Sequence, residues 1–294
     1  MSPIAWPLEA LWQAVEPTLP GFTAELLPVI DSTNSELMRR FRGNGCAAPQ
    51  TEPTLLVAEQ QTAGRGRMGR HWSSARGASL LFSLALPLQP VSWSGLSLAV
   101  GVSLADSLEP AQASTPARLR LKWPNDLWLT AATGPLKLGG ILLETAPWLT
   151  PEPAGSTLRY VVIGVGLNIA PVALPDASNT PSDASCPPVQ PGHLQTLLPT
   201  LDAPSALLRV VPPLVRAIKA FEQFGFAPFQ SRFDRRDALA DGAVQLSDGR
   251  TGTAHGVSDA GALRVFTAGG MHELTSADVR VRPAGLAPRV AGQR

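Results

Sequence analysis

The sequence predicts an α+β fold in which a mixed β-sheet is packed by helices and followed by a small all-β unit. Three observations predict it. Short apolar runs, "TLLVAEQ" (54–60), "ASLLFSLALP" (78–87) and "LRYVVIGVGLNI" (158–169), end in polar or proline residues and have the length of buried strands. Other segments carry apolar residues at helical spacing. After Pro228 the texture changes to β-prone runs broken by Asp-Gly, His-Gly, Ala-Gly and Gly-Gly turns, as in a small barrel.

Taken in order, Leu8–Val15 is a short amphipathic helix. In "DSTNSELMRRF", Ser32 or Thr33 caps a second helix carrying Leu37, Met38 and Phe41 on one side. The strands at 54–60 and 78–87 follow, and Ser92–Leu108 is a packed helix. "RLRLKW" (118–123), "LKLGGILLET" (136–145) and the run at 158–169 supply three more strands. Ala170–Pro191, rich in Pro, Ala and Ser, is a surface excursion, and Leu207–Phe226 is a helix. The change of texture divides the chain into 1–229 and 230–294.

At 294 residues, 44% hydrophobic and 16% charged, the chain can bury a large core. A net charge of +1 supplies no long-range field toward nucleic acid or anionic membrane, so any basic site must be local. The first residues have no basic region before an apolar run, carry Glu9 and Glu16, and are broken by Pro7 and Pro17, so no signal peptide is expected. No run of about 18 apolar residues spans a membrane, and the expected location is cytoplasmic. Cys46 and Cys186 lack a C-x-x-C partner and are read as free thiols. Lysine is scarce, at Lys122, Lys137 and Lys219 alone. Two of these stand beside strands in mid-chain, where a compact ammonium does what an arginine fork does not.

"EQQTAGRGRMGRHW" (59–72) holds Gly64, Gly66 and Gly69 in a literal G-x-G-x-x-G. A dinucleotide cradle needs a helix straight after the glycines and an acid about 20 residues on. Here "RHWSSARG" leads into another strand, and the distal stretch "LPLQPVSW" has no acid. The cradle is rejected. What remains is a strand-to-strand loop bearing Arg65, Arg67 and Arg70, either an anion nest or a solvated hairpin tip. Trp72 is either core or the flank of an aromatic ligand.

Three further motifs each carry two readings. "KWPND" (122–126) presents an ammonium to phosphate and a carboxylate to Mg2+, or is a turn capped by its Asp. Gly139 and Gly140, after Lys137, mark close approach of a ligand or a bulge. Asn168 pairs with a base edge or ties a turn.

In this order, "DSTNSE", "AEQQTAGRGRMGRHW", "KWPND", "KLGGILLE" and "VIGVGLNI" resemble the biotin protein ligase family, enzymes that attach biotin to biotin-dependent carboxylases. The resemblance implies a class II synthetase-like catalytic domain with a small SH3-like C-terminal domain. It implies that Ser32, Thr33, Asn34 and Gln61 hydrogen-bond the biotin head group, and that Arg65 and Arg67 belong to a glycine-framed flexible loop closing over the activated intermediate. Lys137 would meet the carboxylate and α-phosphate, acting catalytically with Arg67. Arg70, Trp72, Asn125 and Asn168 would lie on the nucleotide, with Asn168 at adenine, and Asp126 would face Mg2+. ATP, Mg2+ and biotin are then co-substrates without a tightly bound prosthetic group. The partner is a biotin carboxyl carrier domain, and homodimers through sheet edges occur in the family.

Two departures stand out. Met68 replaces a basic residue common in the loop, and the Ser-Thr-Asn motif begins at residue 32, so a DNA-binding repressor role is not expected. The nearest rival is a lipoate or octanoyl ligase or transferase of related fold, which generally lacks the G-R-G-R loop and the K-W-P-N-D corner. A nucleic-acid-binding module is the rival from another class, disfavoured by the near-neutral charge.

Overall fold

A computed structural model describes residues 4–43, 48–110, 116–149, 156–171, 189–275 and 281–283, the last strand's Val281 and Arg282 in backbone only. The chain runs α1 (Leu8–Val15), β1 (Thr23–Ile30), α2 (Thr33–Arg42), β2 (Thr54–Gln61), β3 (Ser79–Leu88), α3 (Leu96–Leu108), β4 (Leu119–Lys122), β5 (Asp126–Ala131), β6 (Gly134–Pro147) and β7 (Arg159–Asn168). Then come α4 (Ala203–Phe224), α5 (Ala227–Asp234), β8 (Ala243–Leu246), β9 (Thr251–Val257), β10 (Leu263–Thr267), β11 (Gly270–Leu274) and β12 (Val281–Pro283). Among the described residues no helix is long and apolar enough to cross a membrane.

The seven-stranded sheet has the order β1-β2-β3-β7-β6-β5-β4. It is mixed because β1 runs parallel to β2 while every other neighbour is antiparallel. Successive side chains of a strand point to opposite faces, so β7 sorts its own residues. Val161, Ile163, Val165 and Leu167 enter the main core with α1, α3 and α4. Tyr160 and Val162 face the other way, into a smaller cluster with Leu37, Met38 and Phe41 of α2. There Phe41 stacks on Tyr160 at 4.1 Å. Gly164 and Gly166 continue that second face, where Asn34 at the start of α2 and Trp72 lie against them.

Helix α2 starts where Ser32 accepts the Ser35 N–H at 3.4 Å, carries Glu36 in its first turn and arginines in its last, and ends at Gly43 with φ 69°. Helix α3 begins after Gly95, whose φ of 82° turns the chain, and is buried on most of its surface. The second sheet is antiparallel, in the order β11-β10-β9-β8-β12, and buries alternate residues such as Val244, Ala254, Val257, Leu263 and Val265.

The two sheets are tied through α5 and the segment after it. Arg236, 1% exposed, bonds Asp106 at 3.0 Å, Glu109 at 3.1 Å and the Leu119 carbonyl at 3.0 Å. Its backbone continues the edge at β4, with Leu121 N donating to Arg236 O at 2.7 Å and Ala238 N to Leu121 O at 2.9 Å. Trp123 Nε1 donates to Gly261 O at 3.2 Å.

Several expectations need amendment. Strands β1 and β5 were not anticipated: β1 is a polar-studded edge strand interrupted by Pro28, and β5 starts inside the K-W-P-N-D corner. The helix expected over 92–108 starts at Leu96, because Gly95 is left-handed. The helix expected over 207–226 starts earlier, at Ala203 behind an Asp202 cap, and Gly225 separates it from α5. Cys46, Cys186 and most of the 170–191 excursion, from 172 to 188, lie outside the described residues.

Candidate functional site

The glycine face of β7 is flanked by residues directly opposite its glycines. Gly164 pairs with Ser83 on β3 and Leu142 on β6, and Gly166 pairs with Leu81 and Gly140. Opposed residues of antiparallel strands share a face, so Ser83, Gly140, Gly164 and Gly166 form one floor. A Cβ on Gly164 would lie 2.1 Å from Asn34 Oδ1, and one on Gly166 would lie 2.7 Å from the Trp72 ring. Each glycine therefore lets one side chain rest on the sheet, and the two contacts are two residues, about 7 Å, apart along the strand.

The first contact belongs to a buried polar cluster. Thr33 N and Oγ1 donate to Gln61 Oε1 at 2.7 and 3.1 Å, Thr33 Oγ1 lies 2.7 Å from Ser83 Oγ, and Ser83 Oγ donates to Asn34 Oδ1 at 2.6 Å. Asn34 Nδ2 donates to Glu144 Oε2 at 2.9 Å and to Leu142 O at 3.3 Å. Ser32, Thr33 and Asn34 are all buried at the start of α2, where the cap geometry presents consecutive side chains to the sheet.

The glycine-arginine loop is a short hairpin. Trp72 N donates to Gly64 O and Gly66 N to Arg70 O, both at 2.8 Å, with one 3₁₀ turn at Arg67–Gly69. Its glycines do different work. A Cβ on Gly64 would meet Trp72 O at 2.5 Å, whereas Gly69 turns the chain with φ 73°, beside Met68 at φ 58°. The arginines separate: Arg65 bonds Ser35 Oγ and Glu144 Oε1, both at 2.9 Å, while Arg67 and Arg70 act electrostatically around Asp126 and Lys122.

Around the second contact, cations gather on one carboxylate. Lys137 Nζ donates to Asp126 Oδ1 at 2.7 Å and lies 6.0 Å from the Trp72 ring centroid. This orientation depends on a bulge. Gly139 pairs with Leu127 but Lys137 with Trp128, so Leu138 is the extra residue. Leu138 enters the main core, and Lys137 is returned to the face of Gly140 and Asp126. Lys122 lies directly opposite Asp126. Burial pushes its ammonium down to about 8, partly offset by Asp126 and reinforced by Lys137, Arg70 and Arg67. Burial also lowers Arg67, opposed by Asp126 and assisted by Arg70. A partly desolvated site with cations in excess is suited to a polyanion. Trp72 Nε1 is buried there with no hydrogen-bond partner among the described residues.

Asn125 and Asn168 tie backbone. Asn125 Nδ2 donates to Ile141 O at 2.8 Å, and Asn168 Nδ2 to Gly192 O at 3.0 Å and Lys137 O at 3.4 Å. The turn-tying reading of Asn168 thus has contacts in the structure. Of the sequence-predicted residues, Ser32, Thr33, Asn34, Gln61 and Arg65 gather at the polar cluster, and Arg67, Arg70, Trp72, Asp126 and Lys137 at the cationic one. Sequence reasoning gave no role to Ser35, Ser83 or Glu144 and left Lys122 an undecided ammonium. Glu144 ends the quoted "KLGGILLE", and Ser83 is a polar break in the apolar run "LLFSLAL". Among the described residues, no three His, Cys, Asp or Glu side chains group as a metal site would require.

Known proteins resemble this chain in sequence and in fold. The model of the biotin/lipoate A/B protein ligase family matches residues 26–168. The bifunctional ligase/repressor BirA of Escherichia coli is 32% identical over 277 residues, covering 90% of this chain and 76% of that protein. A biotin--[acetyl-CoA-carboxylase] ligase of Paracoccus denitrificans is 31% identical over 268 residues, covering 86% and 98%. The structure of a biotin protein ligase from Aquifex aeolicus in complex with biotin and ATP superposes with a TM-score of 0.67 at 25% identity, covering 89% of this chain and 99% of that one. The chain belongs to the biotin protein ligases of the biotin/lipoate A/B protein ligase family.

Proposed function

We infer that the protein activates biotin with ATP to biotinyl-5'-AMP and transfers the biotinyl group to a lysine amine of a biotin carboxyl carrier domain. The observation that carries this reading is the adjacency, on one glycine floor, of a hydrogen-bonding pocket and a cationic pocket. The pocket around Asn34 rests on Gly164 and the Trp72–Lys137–Asp126 group on Gly166 and Gly140. Neutral donors and acceptors suit the ureido head of biotin, and the cations suit the triphosphate.

In the first half-reaction, the biotin carboxylate attacks the α-phosphorus of ATP and pyrophosphate leaves. Both reactants are anionic, so the chemistry needs positive charge already in place where they meet. Lys137, aimed by its bulge, supplies an ammonium to the carboxylate and α-phosphate, and Arg67 and Arg70 add guanidinium groups from the hairpin. Ser32, Thr33, Asn34 and Gln61 orient the head group, and Trp72 with Asn125 and Asn168 bounds the nucleotide. Positioning of this kind converts an encounter into an intramolecular step.

Magnesium enters as MgATP. The donor set fits: one carboxylate, Asp126, with substrate phosphates to complete the shell of an ion that favours few protein ligands. That carboxylate is ion-paired with Lys137. Asp126 would hold the ion once a phosphate engages Lys137, and the ion would neutralise charge on the phosphate oxygens. In the second half-reaction the carrier amine attacks the acyl carbon of the mixed anhydride and AMP leaves. The hairpin bearing Gly64, Gly66 and Gly69 shields the anhydride from water until the carrier arrives. Residues 1–229 form the catalytic unit in this reading and 230–294 the small C-terminal unit.

The test is incubation with biotin, MgATP and a carrier domain, with mass measurement of protein and nucleotide. One biotinyl addition to the carrier with release of AMP and pyrophosphate is expected. Labelling by lipoate in place of biotin would overturn the substrate assignment. Lys137→Ala should lower biotin-dependent pyrophosphate release far more than biotin binding.

A further inference from the structure

Glu144 projects from β6 on the face shared with Leu142 and Gly140, and its two carboxylate oxygens serve different parts of the site. Oε2 accepts from Asn34 Nδ2 at 2.9 Å, and Oε1 accepts from Arg65 Nη2 at 2.9 Å. Arg65 Nη1 then donates to Ser35 Oγ at 2.9 Å, and Ser35 is the chain neighbour of Asn34. The result is a closed ring of Asn34, Glu144, Arg65 and Ser35 joining the floor of the pocket to the hairpin above it. Beyond the reading of the site as a biotin pocket, on which this inference rests, we propose that Glu144 is a positioning residue that couples the orientation of the Asn34 amide to closure of the glycine-arginine hairpin.

The chemistry of the two contacts supports the coupling. An amide can present either its oxygen or its NH2 in a given direction, and the neighbouring donors and acceptors decide which. The Glu144 carboxylate and the Leu142 carbonyl are both acceptors, so they draw Nδ2 toward β6 and leave Oδ1 toward Ser83. Loss of the carboxylate removes the stronger of these directing groups. The contact to Arg65 is different in strength. Arg65 and Glu144 side chains are 45% and 23% exposed, and pairs so open to water contribute little. Such a bond can hold a hairpin over a bound ligand and still release it during exchange, which a buried ion pair would resist.

The experiment compares the intact wild-type protein with Glu144→Gln, Arg65→Met and the double variant. Three readouts are used: KM for biotin against kcat, the half-life of bound biotinyl-5'-AMP, and the rate of trypsin cleavage in the hairpin without ligand. Glu144→Gln is expected to raise KM for biotin by about fivefold, more than it lowers kcat, and to shorten the adenylate half-life by a similar factor. It should also speed cleavage after Arg67 and Arg70. Arg65→Met should reproduce the faster cleavage and shorter half-life, and the double variant should be little worse than either single one.

A carboxylate that merely stabilised the fold would lower the melting temperature and leave the KM-to-kcat balance and the cleavage rate unmoved. That result, or losses that multiply independently in the double variant, overturns the proposal. Absence of adenylate in the wild type would instead overturn the proposed function, and the cleavage rates would still decide whether Glu144 holds the hairpin.

Discussion

Gly164→Ala tests the floor of the site directly. The nearest atoms to an added Cβ are Asn34 Oδ1 at 2.1 Å, Cγ at 2.8 Å and Nδ2 at 3.2 Å, all on one side chain. Real contacts of this kind do not fall below 3.0 Å, so the amide must retreat by about 1 Å. A retreat of that size stretches the 2.6 Å bond from Ser83 beyond hydrogen-bonding range and disturbs the 2.9 Å bond to Glu144. Alanine is favoured over glycine within a strand by about 0.5–1 kcal/mol. Against this stand about 1–3 kcal/mol for a buried polar group losing its partner and a similar overpacking cost. The net expectation is a loss of about 2–4 kcal/mol in stability, with biotin binding abolished.

The same arithmetic makes the outcome conditional on Asn34. In an Asn34→Ala background all three obstructing atoms are gone, and Gly164→Ala should be neutral or stabilising by about 0.5–1 kcal/mol. Urea denaturation of the four proteins measures the cycle, and calorimetry with biotin measures binding. An equal cost in both backgrounds, or wild-type biotin affinity in Gly164→Ala, would refute the packing argument.

Further outcomes follow from three other parts of the molecule. Arg67→Gly should leave the fold intact but release adenylate, seen as roughly tenfold more labelling of non-carrier lysines, about the worth of one charge-assisted hydrogen bond. Lys122, lowered to about 8 by burial, is partly neutral at pH 8, and a bound polyphosphate should restore its ammonium. Pyrophosphate binding at pH 8 should therefore take up protons, measured by calorimetry in buffers of different ionisation enthalpy, and Lys122→Met should remove the uptake. Since its folded pKa lies below the ordinary 10.5, the unliganded wild type should also gain stability as pH rises from about 8 toward 10.5, a slope absent in Lys122→Met. Arg236→Met removes the cation from Glu109, which keeps its bonds from Arg118 N and Leu119 N, and from one oxygen of Asp106, in the junction between the sheets. It should cost about 3–5 kcal/mol in urea denaturation, and companion changes Asp106→Asn and Glu109→Gln should recover part of the loss.

Much of the fold was legible because burial on both faces leaves a simple signature. Strands β2, β3 and β7 are continuous apolar runs, and α1 and α2 show one apolar side, so periodicity finds all five. Strand β1 escaped because an edge strand with one solvated side tolerates Glu25 and Pro28, which break the pattern. Helix α5 escaped because the residues after Gly225 continue the apolar texture of α4, and a left-handed glycine is visible only in the backbone. At the site, the residues found were those inside dense motifs. Ser83 and Glu144 act through partners about 50 and 110 positions away along the chain, and no local spacing announces such pairs.

The two glycine pairs show why a motif list is an incomplete account of the site. In β7 the residues facing α2 and the pocket run Tyr160, Val162, Gly164 and Gly166, so bulk falls away along a single face. This taper permits a helix at one end and the close approach of Asn34 and Trp72 at the other without a bend in the strand. In β6 the solution differs, because strict alternation would send Lys137 into the main core with its charge unpaired, at a cost no apolar contact offsets. The bulge at Leu138 exchanges the faces: a leucine enters the core and the ammonium meets Asp126. Lys137 was identifiable from the sequence as a charged residue in an apolar strand. Its direction follows from its pairing with Trp128, so deletion of Leu138 would close the bulge into a regular ladder that keeps the ammonium on the face of Gly140, and would take only the leucine from the core.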